Sequence, residues 1–490
     1  MSRDEHIIAV DVGTTSVKVV LFDLAGRICA SRTCEYSLER PGPGIVEVDP
    51  EVYWSSCCAG IQGAMKDASI TPEHVKAIGV TSQAETVITL DRHGRPLRKA
   101  IVWLDNRATD EAGRIAEKFS LDDVYRITGQ QEIVPTWSAP KIMWIRDHEP
   151  DVFRQAGSFM MVEDYVIYRL TSNRVTDHAL NPSTLYYNMV EGKWWGDMLD
   201  FIGMTESQLP TLTHSGEIVG RVSADLTDLP VGTPVTVSPI DQVSGALGAG
   251  NISSGMITET TGCAMAVCAT WDHPAYDPDK RFGIYRHARG GLFVQMPWVS
   301  SAGMILRWFR DKFAPGEDYS RLTAEAQRVA PGSEGLMFGP NFGDGEVQDA
   351  TNPNAGFFGL SMNHGRAHVV RSILESIAMS LREQIALLES NGVSVSEVSS
   401  LGGAARSDLW LQIKADVLQR PVRTMECTES TCLGAAILAS VGTGLHKDLA
   451  GAVGAMARAS KVIEPRAKNR DVYDQAFGQY MRAKRRRNGD

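Results

Sequence analysis

Several features are missing from this 490-residue sequence, and each absence narrows what the protein can be. No apolar run approaches the roughly 18 residues of a membrane span, and the opening Met1-Ser2-Arg3-Asp4-Glu5-His6 has no signal-peptide core. The reading is a cytoplasmic protein with no membrane partner. Excess positive charge is missing too: 49 Lys and Arg against 59 Asp and Glu leave a formal charge of −10, which argues against a nucleic-acid partner. The one dense basic run, Lys484 to Arg487, reads as a solvated tail end. Neither G-x-x-x-x-G-K-[ST] nor G-x-G-x-x-G occurs, so any nucleotide must be held by another device. Three cysteine pairs at C-x4-C spacing (Cys29/Cys34, Cys263/Cys268, Cys427/Cys432) and the adjacent Cys57 and Cys58 lack a C-x-x-C or a histidine at a zinc-like offset. They read as buried, reduced thiols.

What is present has a clear grammar. Ile7 to Val10, Val17 to Phe22 and the chain after Gly26 predict a three-stranded antiparallel meander, with Asp11-Val12-Gly13-Thr14-Thr15 as its first tight turn. Asp49-Pro50 caps a helix carrying Trp54, Cys57, Ile61, Ala64 and Met65, and Val75 to Val80 follows as a strand. Near Gly250 the design is echoed: the strand Met256 to Glu259, the turn Thr260-Thr261-Gly262, then the strand Cys263 to Cys268. A long amphipathic helix from Val369 to Leu388, a strand and turn from Val398 to Gly403, a helix from Trp410 to Leu418, a strand from Pro421 to Met425 and a helix from Leu433 to Ala439 complete an alternating α/β half. Helical packing is expected from His446 onward. The domains read as 1–249, 250–445 and a C-terminal extension 446–490. No low-complexity linker divides the halves, which are expected to flank a cleft.

Two loops stand out chemically. In the Asp11-to-Thr15 turn, Gly13 lets backbone approach closely, Thr14 and Thr15 can hold phosphate oxygens, and Asp11 can reach a metal ion through water. An ordinary hairpin turn would look the same. Leu401-Gly402-Gly403-Ala404-Ala405-Arg406-Ser407 leaves a strand on two glycines and enters a helix, a place for an adenine to lie against bare backbone or a plain glycine-rich connection. Asp241, before a run of small residues, reads on local chemistry as a helix cap.

Taken together and in order, these motifs resemble the FGGY carbohydrate kinase family from about Ile7 to Gly444. The resemblance rests on Asp11-x-Gly13-Thr14-Thr15, the strand Thr81 to Glu85, Trp103-x-Asp105-x-Arg107, Ser138-Ala139-Pro140-Lys141-Ile142-Met143-Trp144, Ile240 to Gly248, Thr261-Gly262 and Gly402-Gly403-Ala404 with Ser407. It implies the actin-like ATPase (ribonuclease H-like) fold, with two related α/β domains, and ATP and Mg²⁺ as cofactors. It turns Asp241 into the general base and a metal ligand beside Asp11. It assigns Asp11, Gly13, Thr14, Thr15, Lys18, Thr261, Gly262, Gly402, Gly403, Ala404 and Ser407 to ATP. The sugar would meet Gln83, Glu85, Trp103, Asp105, Arg107, Trp137, Asp241 and Gln242. On residue chemistry alone, Asp105 and Arg107 could equally be a structural ion pair. A homodimer is a further implication.

The residue types suit phosphoryl transfer, which needs an in-line hydroxyl, a carboxylate to take its proton and contacts that neutralise phosphate charge. The expected activity is ATP-dependent phosphorylation of a small sugar, first of all a ketopentose such as xylulose. Glycerol kinases carry arginine where Ala84 stands and tyrosine where Thr136 aligns, so glycerol fits less well, and Gln83-Ala84-Glu85 is not the Met-His pair typical of the substrate strand in xylulokinases either. The alternatives are a polyol kinase for glycerol or erythritol, a gluconate kinase, and a catalytically silent sugar sensor on the same fold. The loop Gly343 to Asp349 lacks the family's usual arginine-proline and Trp-Asp-Pro pattern.

Overall fold

Ile7, Ile8, Ala9, Val10 and Val12 are wholly buried, as a strand covered on both faces must be. This strand organises the first half of the protein. The structure, a computed structural model, describes residues 5–223, 232–339 and 356–488; the expectation about Gly343 to Asp349 lies outside them. In chain order the elements that position the site begin with β1 (His6–Val12), β2 (Ser16–Asp23), β3 (Ile28–Glu35), α1 (Pro50–Ala68) and β4 (Val75–Ser82). Next come α2 (Ser138–His148), α3 (Val162–Thr171), β5 (Ile218–Arg221), β6 (Pro234–Val237) and α4 (Asp241–Gly248). The later elements are β7 (Ile257–Thr261), β8 (Met265–Trp271), α5 (Gly303–Phe313), α6 (Arg366–Ser390), β9 (Val398–Leu401) and α7 (Asp408–Leu418). They end with β10 (Val422–Met425), α8 (Ser430–Gly442), α9 (Leu449–Met456), β11 (Ala459–Ile463) and α10 (Arg470–Asn488).

The chain forms two compact units: Met1–Ile252 with Asp272–Val294 and Glu429–Arg458, and Ser253–Trp271 with Gln295–Thr428 and Ala459–Asp490. Two later segments, Asp272–Val294 and Glu429–Arg458, belong with the first unit. Small residues explain the second of them. A Cβ on Gly248 of α4 would lie 1.9 Å from the Ser430 carbonyl oxygen, and one on Gly434 of α8 1.9 Å from that of Ser244. Only glycine lets these two backbones meet, so α8 returns to the first unit despite its late position in the chain.

In the first unit the described residues form a six-stranded sheet in the order β5-β6-β4-β1-β2-β3. β1 runs antiparallel to β2 and parallel to β4, so Asp11 lies between Lys18 and Thr81. The second unit repeats the motif: β7 is antiparallel to β8 and parallel to β9, and Glu259 lies between Val267 and Ser400. β10 follows parallel to β9, and β11 antiparallel to β10. The echo read from the sequence is therefore a repeat of topology.

Three expectations change. The segment after His446 is not all helix, because Ala459–Ile463 adds strand β11; as an exposed edge with only Ile463 partly covered, it carries no one-sided apolar pattern to read. Lys484 is part of α10 and pairs with Glu383 at 2.9 Å, so the basic run does not begin as a loose tail. All eight cysteines lack disulfides, but only Cys57, Cys268 and Cys432 are buried; Cys29 and Cys263 are exposed.

Candidate active site

In the first unit, Asp241 at the start of α4 feels the charges of two other carboxylates, Asp11 at the end of β1 and Glu85 just beyond β4. Asp11 ends β1 beside its turn, where the Gly13 amide donates to the Ser16 carbonyl at 3.0 Å and Tyr36 donates its hydroxyl to the Gly13 carbonyl. Asp11 Oδ1 is shielded from solvent and has no hydrogen-bond partner. Burial, opposed by Lys18 and reinforced by Glu429, raises the Asp11 pKa to about 7. Asp241 opens α4, and its Oδ1 accepts the Gln242 amide at 2.8 Å rather than an amide further into the helix, so it is not acting as an N-cap. Burial first, then the charges of Asp11 and Glu85, push its pKa well above the carboxylate range. Like charges held this close want a cation or a proton between them.

The segment before Asp241 is fixed from two sides. Thr81 donates its hydroxyl to the Pro239 carbonyl at 2.7 Å, and the Ser238 amide donates to the wholly buried Glu163 at 2.8 Å. The Glu163 amide in turn donates to the Ser82 hydroxyl at 3.1 Å. Strand β4, helix α3 and the entry to α4 thus form one hydrogen-bonded block.

Glu85 sits at φ 61°, which a non-glycine residue adopts at a cost of order 1–3 kcal/mol. The Thr86 amide closes a three-residue turn on the Ala84 carbonyl at 2.8 Å. The wholly buried Lys141 of α2 holds that turn by donating to the Glu85 carbonyl at 3.1 Å and the Thr136 carbonyl at 2.5 Å. Burial raises the Glu85 pKa and lowers that of Lys141, each charge opposing the other's shift. Gln83 donates to the Tyr53 hydroxyl at 3.3 Å, and its Oε1 is buried without a partner. Trp103 donates its indole N–H to the Thr14 hydroxyl at 2.9 Å, tying the chain beyond β4 to the β1–β2 turn. Trp137 donates its own to the Glu132 carbonyl at 3.1 Å.

Other expected residues are occupied elsewhere. Asp105 is wholly buried, accepting from the Val46 amide at 2.6 Å and from Arg107 at 2.8 and 2.9 Å. Arg107 also pairs with Glu47 at 2.8 Å and lies over the Trp144 ring. These contacts brace the chain after Trp103 and engage the Arg107 guanidinium on two carboxylates. Lys18 pairs with Glu429 at the start of α8 at 2.6 Å.

In the second unit, β7 and β9 deliver their glycines side by side. Gly402 has φ 76°, and a Cβ there would meet the Thr261 carbonyl oxygen at 2.9 Å, so only glycine fits. Gly403 has nothing within 4 Å of its Cβ position, and Gly262 only the Ala264 oxygen at 4.0 Å; both face open space that a ligand could fill. The Gly262 carbonyl accepts the amide of Gly303, the first residue of α5, at 3.0 Å. Ala404 is buried, and Ser407 caps α7 by accepting the Trp410 amide at 3.3 Å.

The pattern of the N-terminal domain of the FGGY family of carbohydrate kinases matches residues 6–248, and that of its C-terminal domain residues 256–443. The chain belongs to the FGGY family of carbohydrate kinases. It is similar to the xylulose kinase of Bacillus subtilis (strain 168), 29% identical over 97% of this chain and 96% of the relative. To the gluconokinase of the same organism it is 31% identical, over 90% and 88%. The crystal structure of the xylulose kinase from Rhodospirillum rubrum superposes with a TM-score of 0.88 at 28% identity, covering 97% of this chain and 98% of that one. This FGGY protein is therefore an enzyme, an ATP-dependent sugar kinase on the actin-like ATPase fold, with a sugar and a nucleotide as its substrates.

Two site-shaping residues escaped the assignment by motif. Lys141 stands within a family motif but was given no role, and Lys414, deep in α7, was not singled out at all. Both are lysines among apolar neighbours on a helix, Ala139-Pro140-Lys141-Ile142-Met143 and Leu411-Gln412-Ile413-Lys414-Ala415. That placement is the available signal, because a lysine is seldom fully buried unless paired.

Proposed function

We propose that this kinase phosphorylates a neutral ketose or polyol, with a ketopentose such as xylulose as first choice, and that Asp241 takes the proton of the attacking hydroxyl. The observation that carries the substrate class is the charge balance around the sugar set. Glu85 and Asp241 are acidic, whereas each cation beside them is engaged: Lys141 on two backbone carbonyls, Arg107 on Asp105 and Glu47, Lys18 on Glu429. An aldonate carboxylate would find no free cation to pair with, while hydroxyls can use Glu85 and the unsatisfied Gln83 oxygen. Ala84, 2% exposed, offers no charge either, which also weakens the case for glycerol.

Mg²⁺ fits the same residues. Asp11 Oδ1 has no partner, and two carboxylates rather than three suit an ion usually held by one or two acids plus substrate phosphates. Among the described residues no group of three His, Cys, Asp or Glu could hold a metal by itself. Asp11, through water, and Asp241 would hold the ion, which when bound neutralises phosphate charge. The Gly13–Thr15 turn offers backbone and hydroxyl donors to the phosphates, and Gly262, Gly402 and Gly403 offer bare backbone to the nucleotide. ATP as phosphate donor is in keeping with a cytoplasmic reaction.

The test is ADP release from Mg-ATP across pentuloses, polyols, hexuloses and aldonates, with Asp241→Asn as control. Turnover with a neutral ketose, reduced about thousandfold in the control while ATP still binds, is the expected result. Preference for an aldonate would refute the charge argument, and near-normal turnover of Asp241→Asn would remove the base.

A further inference from the structure

Lys414 and Glu259 form an ion pair with both side chains 0% exposed. The Lys414 ammonium donates to Glu259 Oε1, to the Ser400 hydroxyl at 3.2 Å and to the Thr261 hydroxyl at 3.3 Å, and lies 5.3 Å from the centre of the Trp410 ring. Thr261 donates to Glu259 Oε2 at 2.7 Å, and Ser400 donates to Glu259 Oε1. One buried cluster thus joins the end of β7, the end of β9 and the middle of α7. Burying two charges costs several kcal/mol for each ion, and apolar side chains of the same volume often serve stability as well or better. Stability alone is therefore a poor reason for this pair to lie here.

Its location supplies a better one. Thr261 immediately precedes Gly262, and Ser400 stands two residues before Gly402, so the cluster underlies both glycine turns where they touch. The Thr261 hydroxyl is turned inward and used up by Glu259 and Lys414, which leaves backbone to face a ligand.

We propose that Lys414 and Glu259 are positioning residues for ATP: they lock the Thr261–Gly262 and Gly402–Gly403 backbones in one arrangement, so the nucleotide meets a backbone surface already aligned. This rests on the reading of those turns as nucleotide-binding. Ion-pair geometry is stricter than apolar packing, so a hydrophobic replacement keeps the fold but loosens the turns.

The experiment compares E259L/K414M, Thr261→Val and Gly403→Asp in the full-length enzyme by Tm, ATP binding and steady-state kinetics. E259L/K414M keeps the wild-type Tm or exceeds it, while its KM for ATP rises about tenfold and its KM for sugar stays within about twofold. A double variant of normal Tm and normal KM for ATP overturns the proposal. Should it fail to fold, Thr261→Val decides: a threefold or greater rise in KM for ATP upholds positioning, and no change overturns it. Gly403→Asp puts a carboxylate into open space and should abolish ATP binding at normal Tm. Normal ATP affinity there sinks the nucleotide reading and the proposal with it. Loss of ATP in Gly403→Asp with none in E259L/K414M sinks the positioning role alone.

Discussion

The two hairpins β1-β2 and β7-β8 share a topology and differ in how each treats its acid. Both first strands are flanked by an antiparallel partner and a parallel strand, and both carry a carboxylate near the turn. Glu259 is neutralised by a wholly buried lysine and two hydroxyls. Asp11 has Lys18 across the ladder, yet that lysine is committed to Glu429, and Asp11 Oδ1 has no partner. One hairpin is thus electrostatically closed and the other open. On the proposed reading, the open acid and Asp241 would receive a cation, and the closed one is scaffolding. Duplication of a fold supplies two similar turns, and the side chains beneath them divide the labour.

The largest way to break this contrast is at the metal. Asp11→Asn should raise the Mg²⁺ concentration for half-maximal rate about tenfold, whereas E259L/K414M leaves that requirement unchanged; a Mg²⁺ titration of the rate at saturating ATP and sugar reads both. Equal shifts in the two variants would erase the distinction between open and closed turns. A smaller effect is expected at the other buried lysine. Lys141→Met removes the donor that holds Glu85 at φ 61°, so KM for sugar should rise several-fold while KM for ATP stays constant. The mirror image of the E259L/K414M result, it would separate a sugar-side lysine from a nucleotide-side one.

The smallest effect is on stability against pH. The Asp11 pKa is raised from 3.8 to about 7 on folding, so the folded state binds the proton more tightly and stability is lost as pH rises from about 4 to 7. Asp11→Asn should therefore melt a few degrees higher than wild type at pH 8 and at the same temperature near pH 4, by thermal denaturation without ligands. A variant less stable than wild type at pH 8 would mean that the open acid is no electrostatic burden.

Much of the fold could be read along the chain because its cues are local. Buried strands are continuous apolar runs, α1 announces itself with Asp49-Pro50, and α6 repeats its apolar residues at helical spacing. Strand β11 could not be read, since an exposed edge has no buried face to mark it. Among the site residues, Asp11, Gly13, Asp241, Gly262, Gly402 and Gly403 stand where turns and strand ends put them, which is a matter of sequence order. Asp105 and Arg107 looked equally suited to a sugar or to each other, and only the folded chain reveals their contacts with Val46 and Glu47.

By itself the sequence determined the strand-turn-strand openings of both units, the placing of glycines where backbone must come close, and the family. These depend on neighbours within a few residues or on matching motifs in series. Which charges are open and which are closed was decided only by the tertiary structure. Lys414 and Glu259 are 155 residues apart, and Lys141 and Glu85 are 56 apart. Whether a buried carboxylate binds a metal, a proton or a lysine depends on what folding brings beside it, and no local pattern carries that information.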